Sequence, residues 1–325
     1  MEEGERVLNS QSPDLLTFGE TMALLMPQDF RSIEHASSLE QSFGGAESNV
    51  AIGAARLGCS VGWFGALGDD PFGRLILKRI RGEGVDVSRV KLAPDAPTGM
   101  MFRETVAGKL AVHYFRQHSA ASRMSPDDLD LDYIRGCKIL HVTGITPALS
   151  DSCRETVFAA VAAAKSAGAR ISFDPNLRLK LWTVEDARRV VLPLAEMADY
   201  FLPGWDELRL LYDTEDFELV KDKLSRLKAV SVVKGVGDTT VVLENGSAVE
   251  IPFYPVDQVV DTVGAGDAFG SGFLAGLLKG MSPAEAVRLG SINGALVVQM
   301  RGDWEALPDW TTASRRLSDK GWVER

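Results

Sequence analysis

Asp261-Thr262-Val263-Gly264-Ala265-Gly266-Asp267 sets two glycines between two carboxylates. The valine-rich run Val256–Val260 before it reads as a strand. Phe269–Leu278 after it, ended by Gly280, reads as a helix. Glycines at 264 and 266 admit backbone conformations closed to other residues and let a ligand approach the main chain. A helix opening just after them aims free N–H groups and the positive end of its dipole at one spot, which suits an anion. Asp267 stands at that spot. If a phosphate already balances the dipole, the carboxylate is free to take a proton from a hydroxyl attacking that phosphate. The plainer alternative is that Asp267 caps the helix and the glycines only turn the chain. Gly270, Gly272 and Gly276 weigh against it. Each costs roughly 1 kcal/mol relative to alanine inside a helix, so close packing must require them. The GxGxxxG spacing does not match a dinucleotide fingerprint, and no Walker A run is present.

Three other stretches could serve such a turn. In Phe43-Gly44-Gly45-Ala46-Glu47-Ser48-Asn49, a Gly-Gly turn leads into a small-residue helix that ends at Leu57. Asn49 is a polar group on a tightly packed first turn and needs a partner, of which a ligand hydroxyl is one candidate. Ile171–Phe173 runs as a buried strand into Asp174-Pro175-Asn176-Leu177-Arg178. Polar groups just past such a strand lie where open α/β sheets bind ligands. Thr98–Thr105 and Leu110–Gln117 flank Ala107-Gly108-Lys109 and predict a hairpin, with Tyr114 and Arg116 on one face of its second strand. An exposed hairpin with a surface arginine is the alternative there.

Around these stretches strands and helices alternate. Strands are predicted at Leu15–Phe18, Ala23–Met26, Val61–Leu67, Val85–Leu92, Ile139–Thr143, Tyr200–Leu202 and Val230–Val233, with a hairpin around Asn245-Gly246. Helices are predicted at Arg74–Arg81, Asp151–Ala167, Thr183–Ala198, from Trp205, and at Phe217–Leu227. Ser125-Pro126-Asp127-Asp128 opens another, and Ser282 caps a last long helix through Met300. Residues 28–42 show no periodicity. The alternation predicts an α/β fold with a doubly wound, mostly parallel sheet. The hairpin breaks the pattern and predicts a small β lid, discontinuous, from about 21–43 and 97–118. Residues 1–13 read as a mobile tail ahead of one domain over 14–325.

The chain has 325 residues, 45% hydrophobic and 25% charged, an ordinary globular balance. Its net charge of −10 argues against nucleic acid as a partner. Cys59, Cys137 and Cys153 are scattered and odd in number, as in a cytoplasmic protein with reduced thiols. The four histidines lack metal-ligand spacing, and neither a signal peptide nor a membrane span is expected.

Taken together the motifs resemble the ribokinase-like sugar kinases, the PfkB family, over roughly residues 14–308. Asp261–Asp267 resembles that family's C-terminal signature and Gly44–Leu57 its N-terminal one. GGAESNVA at 44–51, YFRQHSAAS at 114–122, HVTGITPALS at 141–150, FDPNLRLKLW at 173–182 and GALVVQMRGD at 294–303 resemble most the branch acting on 2-keto-3-deoxygluconate. Plant-type fructokinases share a DPNLR-like run, so a kinase of fructose or another keto sugar or sugar acid is the alternative. The resemblance implies transfer of the γ-phosphoryl group of ATP to a sugar hydroxyl. Asp267 would be the base, with Gly264, Ala265 and Gly266 holding the developing charge through their N–H groups. Gly44, Gly45, Asn49, Tyr114, Arg116, Arg178, Asp267 and Asp303 would bind the sugar. Two arginines suit the carboxylate of a sugar acid. Asn176, Lys234, Gly235, Gly237, Asp238, Gly264, Gly266, Ser291 and Asn293 would bind the nucleotide. Glu207 would hold Mg2+ through water, although Gly204 stands where the family motif has asparagine. Met101 stands where an aromatic residue is common. The resemblance leaves room for a monovalent cation near Asp261 and for a homo-oligomer paired through the lid.

Overall fold

The computed structural model describes residues 12–29, 31–106 and 109–318; residues 1–11 of the predicted tail and the hairpin tip Ala107-Gly108 lie outside them. The strands, in chain order, are β1 (Leu15–Phe18), β2 (Met22–Pro27), β3 (Leu39–Gly44), β4 (Val61–Phe64), β5 (Ala66–Gly68), β6 (Lys91–Ala93), β7 (Met100–Val106), β8 (Lys109–Phe115), β9 (Ile139–Thr143), β10 (Arg170–Asp174), β11 (Tyr200–Phe201), β12 (Val230–Val236), β13 (Thr239–Glu244) and β14 (Ser247–Pro252). The α-helices are α1 (Ala46–Arg56), α2 (Pro71–Gly82), α3 (Leu131–Arg135), α4 (Asp151–Ser166), α5 (Val184–Met197), α6 (Trp205–Tyr212), α7 (Phe217–Ser225), α8 (Ala265–Leu278), α9 (Pro283–Val297) and α10 (Trp310–Leu317).

Eight strands form the central sheet in the order β14-β13-β12-β11-β10-β9-β1-β4. From β12 to β4 neighbours run parallel; β13 and β14 close one edge antiparallel. β1, β4 and β9 are buried at every position, as strands covered on both faces must be. One core joins the sheet to α3–α7, with Val157, Val191 and Leu208 at its centre. The other joins it to α1, α2, α8 and α9 through Val50, Ile76, Phe273 and Val287. The chain leaves β1 for β4 on one side and returns to β9 on the other, so the order reverses at β1. Ligands of doubly wound sheets bind at such a switch point, beyond the strands' carboxyl ends. β1, β9, β10 and β12 all deliver their polar residues there.

A second sheet, ordered β3-β2-β7-β8, stands apart from the first. Its β7–β8 hairpin is antiparallel, with Met101 opposite Tyr114. β3 arises from the stretch without periodicity. Leu39, Glu40 and Gln41 are exposed while Ser42, Phe43 and Gly44 are buried, so no alternation marks it.

Other expectations fail for local reasons. Val256–Val260 is not a strand: it is irregular, Val259 and Val260 are about half exposed, and α8 is therefore reached from a loop. Within Val85–Leu92 only Lys91 and Leu92 join a strand, while Asp86 makes one isolated bridge to Gly62. Ser125–Asp128 closes a single 3-10 turn with a capping box, and the α-helix follows at Leu131. α10 is a further helix beyond the predicted last one. The Asn245-Gly246 turn has φ of 50° and 77°, as a tight hairpin demands. Gly272 and Gly276 let α8 lie against α9, where an added Cβ would come within 2.8 Å of Gly290 and 2.9 Å of Ala286. Gly270 is under no such constraint, with its nearest neighbour 3.7 Å away. Among the described residues no helix is long and apolar enough to cross a membrane, and the three cysteines are unpaired.

Candidate active site

A cleft of about 1370 Å³ lies between the second sheet and the carboxyl ends of the central strands. Gly264, at its floor, is the N-cap of α8 with φ 78°, and the space of its missing side chain is filled by the Asp303 carbonyl. Only glycine can open the helix there. Gly266 faces the cleft with nothing nearer to its missing side chain than the Lys234 ammonium, 4.0 Å away. The first-turn N–H groups of Gly266 and Asp267 precede any i−4 acceptor and so remain available to an anion. The Ala265 N–H instead leans back on the Thr262 carbonyl at 3.4 Å, and Ala265 does not line the cleft.

Asp267 follows on the same turn, partly open to the cleft. Its Oδ2 accepts from Asn49 Nδ2 at 2.8 Å, and Asn176 Nδ2 lies 3.4 Å from Oδ1. Burial pushes its carboxyl up to about 7, helped by the negative charges of Asp174 and Asp303 and opposed by Asn49 and Arg178. A carboxylate with that affinity for protons suits a general base near neutral pH. Asn176 is held at φ 39°, a conformation asparagine tolerates better than most residues.

Lys234, on β12, donates to Asp174 Oδ2 at 2.6 Å, while Asp174 Oδ1 accepts the Asn176 N–H at 2.9 Å. Burial disfavours the Lys234 ammonium, but Asp174, Glu207 and Asp267 outweigh it and hold its pKa above the ordinary lysine value. The result is a fixed positive charge beside the glycine turn. Glu207 lies behind it, accepting from the Leu177 N–H at 2.6 Å and the Gly204 N–H at 2.7 Å. Burial, then repulsion from Asp174, raises its carboxyl above the usual range.

On the side of the second sheet, Gly44 and Gly45 are needed for space rather than for an unusual φ. A side chain at Gly44 would overlap the Asp303 carboxylate, and one at Gly45 the Glu20 carbonyl. Asn49, read as a hydroxyl ligand, is already bound to Asp267 through its amide nitrogen. Tyr114 and Arg116 share a face, with the guanidinium 5.4 Å from the ring centroid. Arg116 is paired with the buried Glu20. Arg178 lines the cleft and, among the described residues, its guanidinium has neither a hydrogen-bond nor an ion-pair partner. Asp303 is buried, bonded to Arg103 at 2.6 Å, and raised to about 6 by burial against the opposing Arg103 charge.

Other assigned residues lie elsewhere. Ser291 is buried and accepts from the Tyr254 N–H at 2.7 Å. Asn293 is buried and donates to Ser271 at 3.3 Å. Both are held in the packing of α9 and neither lines the cleft. Gly235 is an exposed irregularity in β12, and Gly237 and Asp238 form the exposed turn beyond it, with left-handed φ at both glycines. Asp261 is engaged by the Val263 N–H at 3.1 Å and by Arg103 at 3.3 Å. Sequence reasoning passed over Glu20 and Arg103. Glu20 follows a buried strand just as Asp174 does, a signal that was available. Arg103 sits in a strand where nothing marks it as buried.

Comparison with known proteins bears on this arrangement. The description of the pfkB family of carbohydrate kinases matches residues 12–310. The chain belongs to the pfkB carbohydrate kinase family. It is 39% identical to a 2-dehydro-3-deoxygluconokinase of Bacillus subtilis, over 91% of this chain and 92% of that protein. It is 33% identical to a probable chloroplastic fructokinase-6 of Arabidopsis thaliana, over 92% of this chain and 80% of that protein. A PfkB protein from Polaromonas sp. JS666 superposes with a TM-score of 0.85 at 36% identity, covering 93% of this chain and 99% of that one. As a pfkB carbohydrate kinase with this ribokinase-like fold, the protein transfers a phosphoryl group to a sugar.

Proposed function

We propose that the protein phosphorylates a hydroxyl of 2-keto-3-deoxygluconate with ATP, acting as a 2-dehydro-3-deoxygluconokinase in the cytoplasm. The observation that carries the sugar-acid reading is Arg178, a guanidinium without a partner among the described residues, facing the cleft beside Asp267. A neutral sugar gives such a group nothing to neutralise, whereas a carboxylate matches it bidentately. The Bacillus subtilis relative named for this activity agrees with it. Arg116, stacked on Tyr114 across the cleft, is the second candidate ligand.

Asp267 takes the proton of the attacking hydroxyl, and Asn49 fixes the orientation of its carboxylate. The N–H groups of Gly266 and Asp267, with the Lys234 ammonium, receive the charge on the transferred phosphoryl group. The Lys234–Gly237 segment borders the nucleotide. Glu207 suits water-mediated contact with Mg2+, because each oxygen accepts one amide and retains a lone pair. Among the described residues no cluster of three potential ligands could cage a bare ion. This fits an ion that arrives on the nucleotide phosphates and is held by few carboxylates. When bound, it neutralises phosphate charge.

The second sheet serves as a lid over the sugar. β8 is one of its two edges, with Phe115 61% exposed, and a second copy of the chain pairing there is the oligomer it favours. Sedimentation as a monomer at micromolar concentration would remove that pairing.

A second reading, a kinase of fructose or a similar neutral keto sugar, is favoured by the Glu20–Arg116 pair. It leaves Arg178 as the one uncommitted arginine of the two. Coupled ADP release with Mg-ATP and 2-keto-3-deoxygluconate, fructose or ribose separates the readings. A hundredfold or greater preference for the sugar acid is expected; equal turnover of fructose would overturn the sugar-acid assignment and keep the kinase.

A further inference from the structure

Arg103 lies on β7, in the lid sheet, and is only 5% exposed. Its guanidinium donates to Asp303 Oδ1 at 2.6 Å, approaches Asp261 Oδ2 at 3.3 Å and touches Met26 Sδ at 3.0 Å. The two acids flank the glycine turn. Asp261 Oδ1 accepts the Val263 N–H, just before Gly264. The Asp303 backbone fills the space beside Gly264, and its carboxylate fills the space beside Gly44. One buried cation thus joins three parts of the chain: the lid strand, the loop leading into α8, and the loop after α9. A guanidinium so deep is tolerated only because carboxylates surround it, and the carboxylates are tolerated only because it is there.

The same geometry bears on the monovalent cation that the family resemblance allowed near Asp261. The residues present do not suit it. One Asp261 oxygen is engaged by an amide and the other by a guanidinium. An added ion at that carboxylate would face a fixed positive charge a few ångströms away.

We infer that Arg103 is a positioning residue that serves as the built-in counter-cation of the glycine turn and ties the lid sheet to it. No loose cation is needed at Asp261. The lid cannot move on the sugar without pulling on both acids, so sugar binding and formation of the nucleotide site are one coupled event. The inference rests on the kinase activity and not on which sugar is used.

The test begins with the unaltered protein. Binding of Mg-AMP-PNP is measured by calorimetry in potassium chloride and in tetramethylammonium chloride at one ionic strength, with and without the sugar that the acceptor panel selects. The dissociation constant should agree within about twofold between the salts, and sugar should tighten nucleotide binding by about 5-fold or more, the lower end of ordinary site coupling. R103M keeps the volume and removes the charge. It should abolish the tightening by sugar and lower kcat by about 100-fold, as displaced catalytic groups do. R103K, which keeps a charge, should restore part of both. Tightening of tenfold or more by potassium in the unaltered protein would overturn the inference. So would R103M with undiminished coupling and an unchanged melting temperature. If R103M does not fold, the salt comparison decides alone.

Discussion

Replacing Asp267 with asparagine should move activity and stability in opposite directions. The Asp267 carboxyl is raised from 3.8 to about 7. Because the folded-state value lies above the unfolded one, ionised Asp267 opposes folding. The penalty is absent below pH about 4, grows as pH rises, and is complete above pH about 7. At about 1.4 kcal/mol per unit, the rise corresponds to at most about 4 kcal/mol. Two features reduce the gain. The side chain is partly open to the cleft, where solvent screens it. An asparagine with its oxygen toward Asn49 would also turn its amide toward the Asn176 amide, now 3.4 Å from Oδ1. About 1–2 kcal/mol should survive, raising the melting temperature at pH 8 by about 2–4 °C. kcat should fall by about 10² to 10⁴ with the loss of the base. The experiment is a calorimetric melt of both proteins at pH 5 and pH 8, with coupled ADP release at pH 8. Asp267→Asn melting below the unaltered protein at pH 8, or retaining more than a tenth of its turnover, would rule out a destabilising, proton-accepting carboxylate at Asp267. The stabilisation should also shrink at pH 5; a gain independent of pH would point to packing rather than charge.

The same carboxyl predicts that kcat/KM rises with pH and is half-maximal near 7, with about a tenth of the plateau at pH 6. Asp303, raised to about 6, should steepen the fall on the acid side, which a profile from pH 5 to 8.5 would record. Arg178→Met should lower kcat/KM for the sugar acid by about 10- to 150-fold, the worth of a charge-assisted hydrogen bond, while any activity on fructose stays nearly constant. Parallel kinetics on both sugars check this. Gly264→Ala places a side chain at φ 78° against the Asp303 carbonyl. It should lose about 1–3 kcal/mol of stability and most of its turnover, measured by thermal melting and initial rates.

Much of this site was legible because glycine, proline and isolated charges have few ways to be explained. Gly264 was readable as a turn because its φ admits no other residue, and Gly272 and Gly276 as packing because α9 lies against them. Asp174, Asn176 and Arg178 were readable as site residues because they leave a buried parallel strand at its carboxyl end. Which polar group meets which was not legible. Asn49 could have met a sugar or another side chain; it meets Asp267. Arg116 could have been free; it meets Glu20, which lies in the loop after β1. Ser291 and Asn293 point into the packing of α9, because helix phase was not resolved by a stretch apolar on nearly every side. Val256–Val260 has strand composition and forms none, because composition does not say whether a partner strand is at hand. What was not legible therefore shares one cause. Local chemistry identifies residues that need a partner, but the partner comes from another part of the chain. In this cleft those distant pairings, Arg103 with Asp303 and Asp261 and Arg116 with Glu20, join the second sheet and the residue just past it to the loops beside the glycine turn and after β1.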